Sequence, residues 1–441
     1  MKTMFKILGI FSLLTIIGLS IAACGDGGSG GGGGGGSGPS TPTNNSEQGK
    51  ALLARTITEG TGEAEFTAVA ADNNGIYAVG WQRGTGRRNY GNSITLTGTA
   101  GDQNPVLVKY NTSGAAQWAR TITAGTVGGE AFSFYSVAVD SSGNVYAAGV
   151  HDGIGSYDFG TGVTINGINN FTPILVKYNE SGVAQWVKTT GDIGVFGGVT
   201  VDSSGNVYAV GWQAGNEEHN YGNDVTLTGT STLGNPVLVK YDGAGNAEWA
   251  KTIEAGTDFV SFYDVAVDSS SVYVTGMQRG TGTYNYGGVT ATETGTQNPI
   301  LIRYNNTTGA AQWARTISAG TGIATFNSVA VDSSGIYVTG RQQGNGTYNY
   351  GNSVTARGTA TGTNLNPVLV KYNTSGTAQW ARTITAGTAG AIFFGIAVDS
   401  GGMYVAGYQR GNGTYNYGNS VTATGTATGT NSNPVLVKYG K

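Results

Sequence analysis

Apolar and polar residues alternate in short runs along most of this chain, and the same runs return at a nearly regular distance. "SVAV" at 136–139 and "NVYAVG" at 206–211 place β-branched and aromatic residues with a period of two, as half-buried strands do. Between such runs lies a segment like "DSSG" at 202–205. Aspartate can bond its own backbone two residues on and glycine supplies a positive φ, so the two runs read as a hairpin. A second hairpin follows, with "PVLVKY" and "AQWARTI" flanking "NTSG" at 105–122. Each unit therefore predicts four antiparallel strands, named a, b, c and d below.

The units are counted by their landmarks. The aspartates closing strand a are Asp72, Asp140, Asp202, Asp268, Asp332 and Asp399, spaced by 68, 62, 66, 64 and 67 residues. The basic residues of strand c follow in step at Lys109, Lys177, Lys240, Arg303, Lys371 and Lys438, giving six units. Four-stranded units repeated radially build a β-propeller, so the expected fold is all-β, a single six-bladed propeller over 51–441. Strand-d tryptophans number only five: Trp118, Trp186, Trp249, Trp313 and Trp380. The sixth copy of strand d stands at the other end of the domain, where "ALLARTIT" at 51–58 aligns with "AQWARTIT" at 116–123. Leu53 takes the Trp position and Arg55 the Arg position. The N-terminal strand is thus expected to pair with "NPVLVKYGK" at 433–441 and close the ring, removing two free edges.

The paired motifs, "VAVDSSGNVY"-like and "LVKYNxSGxxxWA", resemble the SBBP-type bacterial β-propeller repeat. That family's name implies seven blades, whereas this chain has six units. The resemblance implies exported or surface bacterial proteins and brings no catalytic residues with it.

Residues 1–23 fall outside the repeat. Lys2 and Lys6 precede a 17-residue apolar run, Ile7–Ala23, short of the roughly 20 residues a spanning helix needs. "IAAC" then ends in Cys24, the sole cysteine, and resembles the bacterial lipobox, whose cysteine is lipidated. Two or more acyl chains give stable anchoring without a span. Residues 24–50 would be the lipidated end and a Gly-rich tether, with an r.m.s. reach of roughly 28 Å. These features predict a lipid-anchored protein of the bacterial envelope, at the outer membrane or cell surface.

Composition narrows the function. Without Lys2 and Lys6 the chain has 21 basic and 26 acidic residues, a net charge of −5, which argues against a nucleic-acid partner. With two histidines and no HExxH, CxxC or GxSxG segment, neither a metal nor another cofactor is expected. "DSSG" spaces Asp and Gly three apart, so it does not match the Asp box of sialidase-like propellers. The six aspartates are expected to form turns, as are the "NTS", "NES" and "NTT" segments. The tryptophans should pack between blades.

Candidate binding residues come from two features. The b–c connections run about 20 to 25 residues, as in "QRGTGTYNYGGVTATETGTQN" at 278–298, with "YGNSVTATG"-like segments predicting an extra short hairpin. On one face they would build a rim carrying Tyr284, Tyr286, Tyr348, Tyr350, Tyr415 and Tyr417, either as ligand contacts or packed against the blades. Blades 2 and 3 also break the repeat, with His151, Asp152 and Asp158 in one and Glu217, Glu218 and His219 in the other, a possible acidic, histidine-containing patch. The expected function is a monomeric, non-catalytic module binding an unidentified protein or glycan. The alternatives are a glycan-active enzyme using paired carboxylates and a periplasm-facing assembly scaffold.

Overall fold

The computed structural model describes residues 54–99, 101–125, 132–168, 171–280 and 282–441. The expected leader 1–23, Cys24, the expected tether to residue 50 and residues 51–53 of the expected closing strand lie outside them. The described chain is all-β: six antiparallel sheets succeed one another in sequence as the six blades of a propeller. Blade 4 is representative, with strands a Val260–Val267, b Ser271–Arg279, c Gln297–Asn305 and d Ala311–Arg315, paired in that order. The a–b and c–d turns lie at one end of the sheet, the turn face. The b–c and d–a connections lie at the other, the loop face.

The aspartates do what turn chemistry requires. Asp140 Oδ1 accepts from the amides of Ser142 and Asn144, both at 2.9 Å, and its Oδ2 takes the Tyr146 hydroxyl at 3.0 Å. Asn111 and Asn373 hold the c–d turns in the same way, each accepting an amide four residues on at 2.8 Å.

Strand a carries a bulge after its phenylalanine in every blade, as between Phe262 and Asp264. The bulge drives its backbone against strand b and dictates the glycine there. A Cβ on Gly276 would lie 2.1 Å from the Ser261 carbonyl oxygen, and on Gly211 1.8 Å from that of Val195. The "VYAVG" ending of strand b is therefore a packing requirement. Around the axis, strands a of successive blades are tied by side chains. Asp264 Oδ2 accepts from Ser328 Oγ at 2.6 Å and from the Val329 amide at 3.0 Å, and Asn327 Nδ2 donates to the Phe393 carbonyl at 2.8 Å.

Blade-to-blade packing repeats as well. The strand-d tryptophans reach the next blade's c–d turn: Trp118 Nε1 donates to the Glu180 carbonyl at 3.0 Å and Trp249 to that of Thr307 at 3.1 Å. Two of the six basic residues of strand c are buried as well. Lys109 and Lys240 are each 7% exposed, their ammonium groups over the rings of Tyr77 and Tyr208.

At the seam the expected closing strand is described only in part, its residues 51–53 lying outside the described residues. The sixth sheet holds three strands, Ala391–Asp399, Gly402–Arg410 and Ser432–Tyr439, and no ladder joins 54–58 to Ser432–Tyr439 among the described residues. The strand-c leucines show the consequence. Leu107, Leu175, Leu238, Leu301 and Leu369 are fully buried against the following blade, while Leu436 is 71% exposed. Residues 54–58 nevertheless dock on blade 1 as a strand d would. Arg55 bonds the carbonyls of Gly114 and Ser113, as Arg120 bonds those of Gly182 and Ser181. The described part of the segment is held by blade 1's turn.

Candidate functional site

Each b–c connection does contain a short hairpin, such as Thr283–Asn285 with Thr290–Thr292 in blade 4. It does not stand up as a rim. Blades diverge away from the axis, and the hairpin fills the wedge between its own blade and strand d of the one before. Glu254, just past strand d of blade 3, donates its amide to the Asn285 carbonyl at 2.8 Å, and Ser318 bonds Asn349 likewise. On its own blade the hairpin tip is tied to the start of strand d, Asn223 Nδ2 to the Ala247 carbonyl at 3.1 Å.

This geometry decides where the tyrosines point. Residues i and i+2 of a strand share a face, and in "TYNY" both rings turn into the wedge. Tyr284, Tyr286, Tyr348, Tyr350, Tyr415 and Tyr417 are all between 1% and 3% exposed. The second ring of each pair stacks on the strand-a phenylalanine, as Tyr350 on Phe326 at 5.9 Å, and donates its hydroxyl to the glutamine ending strand b. These bonds are Tyr286 to Gln278 at 2.8 Å, Tyr350 to Gln342 at 2.7 Å and Tyr417 to Gln409 at 2.8 Å. The rings thus hold the connections to the blades, the second of the two roles the sequence allowed, and do not face solvent.

The exceptions in blades 2 and 3 occupy the same two inner positions. The first position donates to the carbonyl five residues earlier in all six blades, with three residue types. Tyr348 bonds Gln343 at 2.9 Å, Arg88 bonds Arg83 at 2.6 Å, and His219 Nε2 meets the Ala214 carbonyl at 3.0 Å. Its Nδ1 lies 3.9 Å from Asp192 Oδ2. His151 replaces the strand-b glutamine of blade 2, and Phe159 replaces its tyrosine partner. The imidazole is fully buried beside Phe132 and Tyr157, neither ring nitrogen has a hydrogen-bond partner among the described residues, and burial lowers its pKa to about 4. Asp152 is buried, and Asp158 caps its own turn through the Gly160 amide at 2.7 Å. Of the six residues only Glu217 and Glu218 are exposed, so the two histidines and the two aspartates are not gathered with them at one surface. Among the described residues no group of three His, Cys, Asp or Glu side chains is placed to hold a metal ion.

A cleft that sequence reasoning missed lies on the loop face of blade 4. It has a volume of about 580 Å³ and is lined by Asp258, Arg279, Glu293, Thr294, Thr296 and Thr321 among others. Arg279 Nε is 3.6 Å from Asp258 Oδ1. Burial, and then the negative Asp258, raise the Glu293 carboxyl to about 8, against the opposing Asn298 side chain. The signal was present in the repeat: Glu293 stands where the other blades have Gly98, Gly167, Gly229, Gly358 and Gly425.

No protein-family model matches the chain, and no curated protein matches it. Among solved structures it is similar to a europium-containing methanol dehydrogenase, at 12% identity and a TM-score of 0.34, over 78% of this chain. The chain spans 65% of the length of that enzyme.

Proposed function

We propose that this is a lipid-anchored protein of the bacterial envelope whose propeller is a non-catalytic binding module, with the loop face as its recognition surface for a protein or glycan. The observation that carries the reading is the division between constant and variable positions among the six blades. Wedge tyrosines, strand-b glycines and turn aspartates repeat, and they fix the scaffold. Loop-face positions differ from blade to blade: Arg83 pairs with Glu63 at 2.9 Å and with Asp102 at 3.2 Å in blade 1, and Arg279 with Asp258 in blade 4. The equivalent of Arg279 is Ala214 in blade 3 and Gln343 in blade 5. A rigid frame displaying varied polar groups on its connections is the arrangement of a recognition surface. The SBBP-like repeats and the lipobox-like "IAAC" supply the envelope part. Among the described residues no helix is long and apolar enough to cross a membrane.

The anchoring is tested by labelling with a fatty-acid analogue: wild type should incorporate it and Cys24→Ala should not. Protease shaving of intact cells then reads the exposure of 51–441, with loss of the band expected and full protection favouring a periplasmic scaffold. One observation favours the glycan-active enzyme as a second reading, since Glu293 and Asp258 share a cleft and burial keeps Glu293 protonated at neutral pH. A chromogenic glycoside panel decides it: turnover abolished by Glu293→Gln would establish the enzyme, and no turnover leaves the binding module.

A further inference from the structure

Charge is divided unequally between the two faces of the propeller. Strand d is the outermost strand of its sheet and carries one basic residue per blade: Arg120, Lys188, Lys251, Arg315 and Arg382, with Arg55 in the sixth place. Five of these side chains reach the turn face, at the c–d turn of the blade that follows. Arg120 Nη2 donates to the Ser181 carbonyl at 2.9 Å and Arg315 Nε to that of Gly376 at 2.7 Å, with Arg55 placed likewise on Ser113. Lys188 and Lys251 lie so close over Gly245 and Gly309 that a Cβ there would meet the lysine Cε at 2.6 Å and 2.5 Å. Arg120, Lys188, Arg315 and Arg382 also sit over the indole of their own strand, Arg315 at 5.1 Å from the Trp313 centroid. Arg55 and Arg382 are exposed and the other four half-buried. Among the described residues no carboxylate lies within ion-pair distance of any of the six.

The acids of the turn face are engaged elsewhere. The six turn aspartates accept amides of their own turns, as Asp242 does from Ala244 at 2.9 Å and Asn246 at 2.8 Å. Glu180 and Glu248 face strand-c lysines, Lys109 at 3.7 Å and Lys240 at 2.8 Å. The loop face has the reverse balance: Arg83 and Arg279 are paired with carboxylates, and Glu217 and Glu218 are exposed. Cations spaced one per blade around a rim do not converge on a small anion. They match an extended anionic surface. The path of the chain points the same way. Arg55 lies at the c–d turn of blade 1, and Glu59 bridges Asn89 of the wedge hairpin, so 54–59 run from the turn face toward the loop face. The chain before Ala54 therefore meets the propeller on the face with the unneutralised cations.

Resting on the lipid-anchor reading, we infer that the turn face lies against the anionic phospholipid headgroups of the membrane that holds Cys24, with the strand-d cations as its contacts and the loop face turned outward. The test uses the full-length protein, purified from membranes and reconstituted into vesicles of phosphatidylcholine alone or with one part in three of phosphatidylglycerol. Cys24 is the sole cysteine and is acylated under this reading. Ser142→Cys on the turn face, or Thr361→Cys on the loop face, then supplies a single thiol for a fluorophore. Quenching by headgroup-spin-labelled lipid reports which face is near the bilayer. On phosphatidylglycerol vesicles the Ser142 label should be quenched at least twofold more than the Thr361 label. That difference should be smaller on phosphatidylcholine alone and should shrink in high salt. Lys188→Gln with Lys251→Gln and Arg382→Gln should at least halve it at an unchanged melting temperature, while Lys188→Arg with Lys251→Arg and Arg382→Lys should keep it. Equal quenching of the two labels on anionic vesicles would overturn the proposal, as would a difference that the three glutamines leave intact. A chain that floats with neither kind of vesicle would overturn the anchoring reading, and this proposal with it.

Discussion

Gly276 shows how a single atom is constrained by the repeat. Its Cβ-less backbone admits the Ser261 carbonyl of the bulged strand a, and a methyl group at 2.1 Å cannot be absorbed without moving one strand. Gly276→Ala should therefore cost roughly 2 kcal/mol or more, read as a lower urea midpoint with unchanged slope. His151 gives a residue-level prediction in pH. Its pKa is 6.5 in the unfolded reference and about 4 in the fold, so the unfolded chain binds the proton more tightly. Stability from the neutral imidazole is intact above 6.5 and is lost as pH falls toward 4, by roughly 3 kcal/mol. Asp264, raised to about 6 by burial, works in the opposite sense, its contribution being lost as pH rises through 6. The difference between wild type and His151→Gln isolates the histidine. That difference should grow below pH 6.5, and a flat difference down to pH 4 would contradict the buried, unpartnered placement.

The strands were legible element by element because their period and turn residues repeat six times. Asp140, Asn111 and Trp118 each do in the structure what the sequence pattern assigns them. The hairpins were legible as existing but not as placed. Periodicity says that Tyr284 and Tyr286 share a face, and nothing in it says that the face is the wedge toward the preceding blade. For the same reason His151 and His219 looked like a departure toward chemistry. What surrounds them, the Tyr157 ring beside His151 and the Ala214 carbonyl at His219, is brought close only in the folded hairpin. The paired change in blade 2, Gln to His with Tyr to Phe, makes the account testable. Restoring both as His151→Gln with Phe159→Tyr should recreate the buried hydroxyl–amide bond of the other blades. A double-mutant cycle should then show a favourable coupling of about 1 kcal/mol. Zero coupling would mean that the wedge in blade 2 is packed differently.

At the scale of the molecule, and among the described residues, five strand-c leucines are buried between blades and the sixth, Leu436, is exposed. Leu301→Ala should cost roughly 2–5 kcal/mol, as for a filled core, while Leu436→Ala, 71% exposed, should cost only a few tenths by the same measure. Equal costs would show the seam shut in solution. The docking of 54–58 on blade 1 was legible in the alignment of Arg55 with Arg120, and residues 51–53 of the expected closing strand lie outside the described residues. Glu293 was overlooked because the comparison between blades was applied to histidines and acids in blades 2 and 3, and the same comparison at the glycine position of the hairpin finds it.

The central claim is that the loop face is the surface that meets a partner. Photo-crosslinking in intact cells tests it directly, with the crosslinker at exposed loop-face positions Thr294 and Thr361 and, in parallel, at exposed turn-face positions Ser142 and Ser204. Adducts from Thr294 and Thr361 alone are predicted. Adducts confined to Ser142 and Ser204 would contradict the claim.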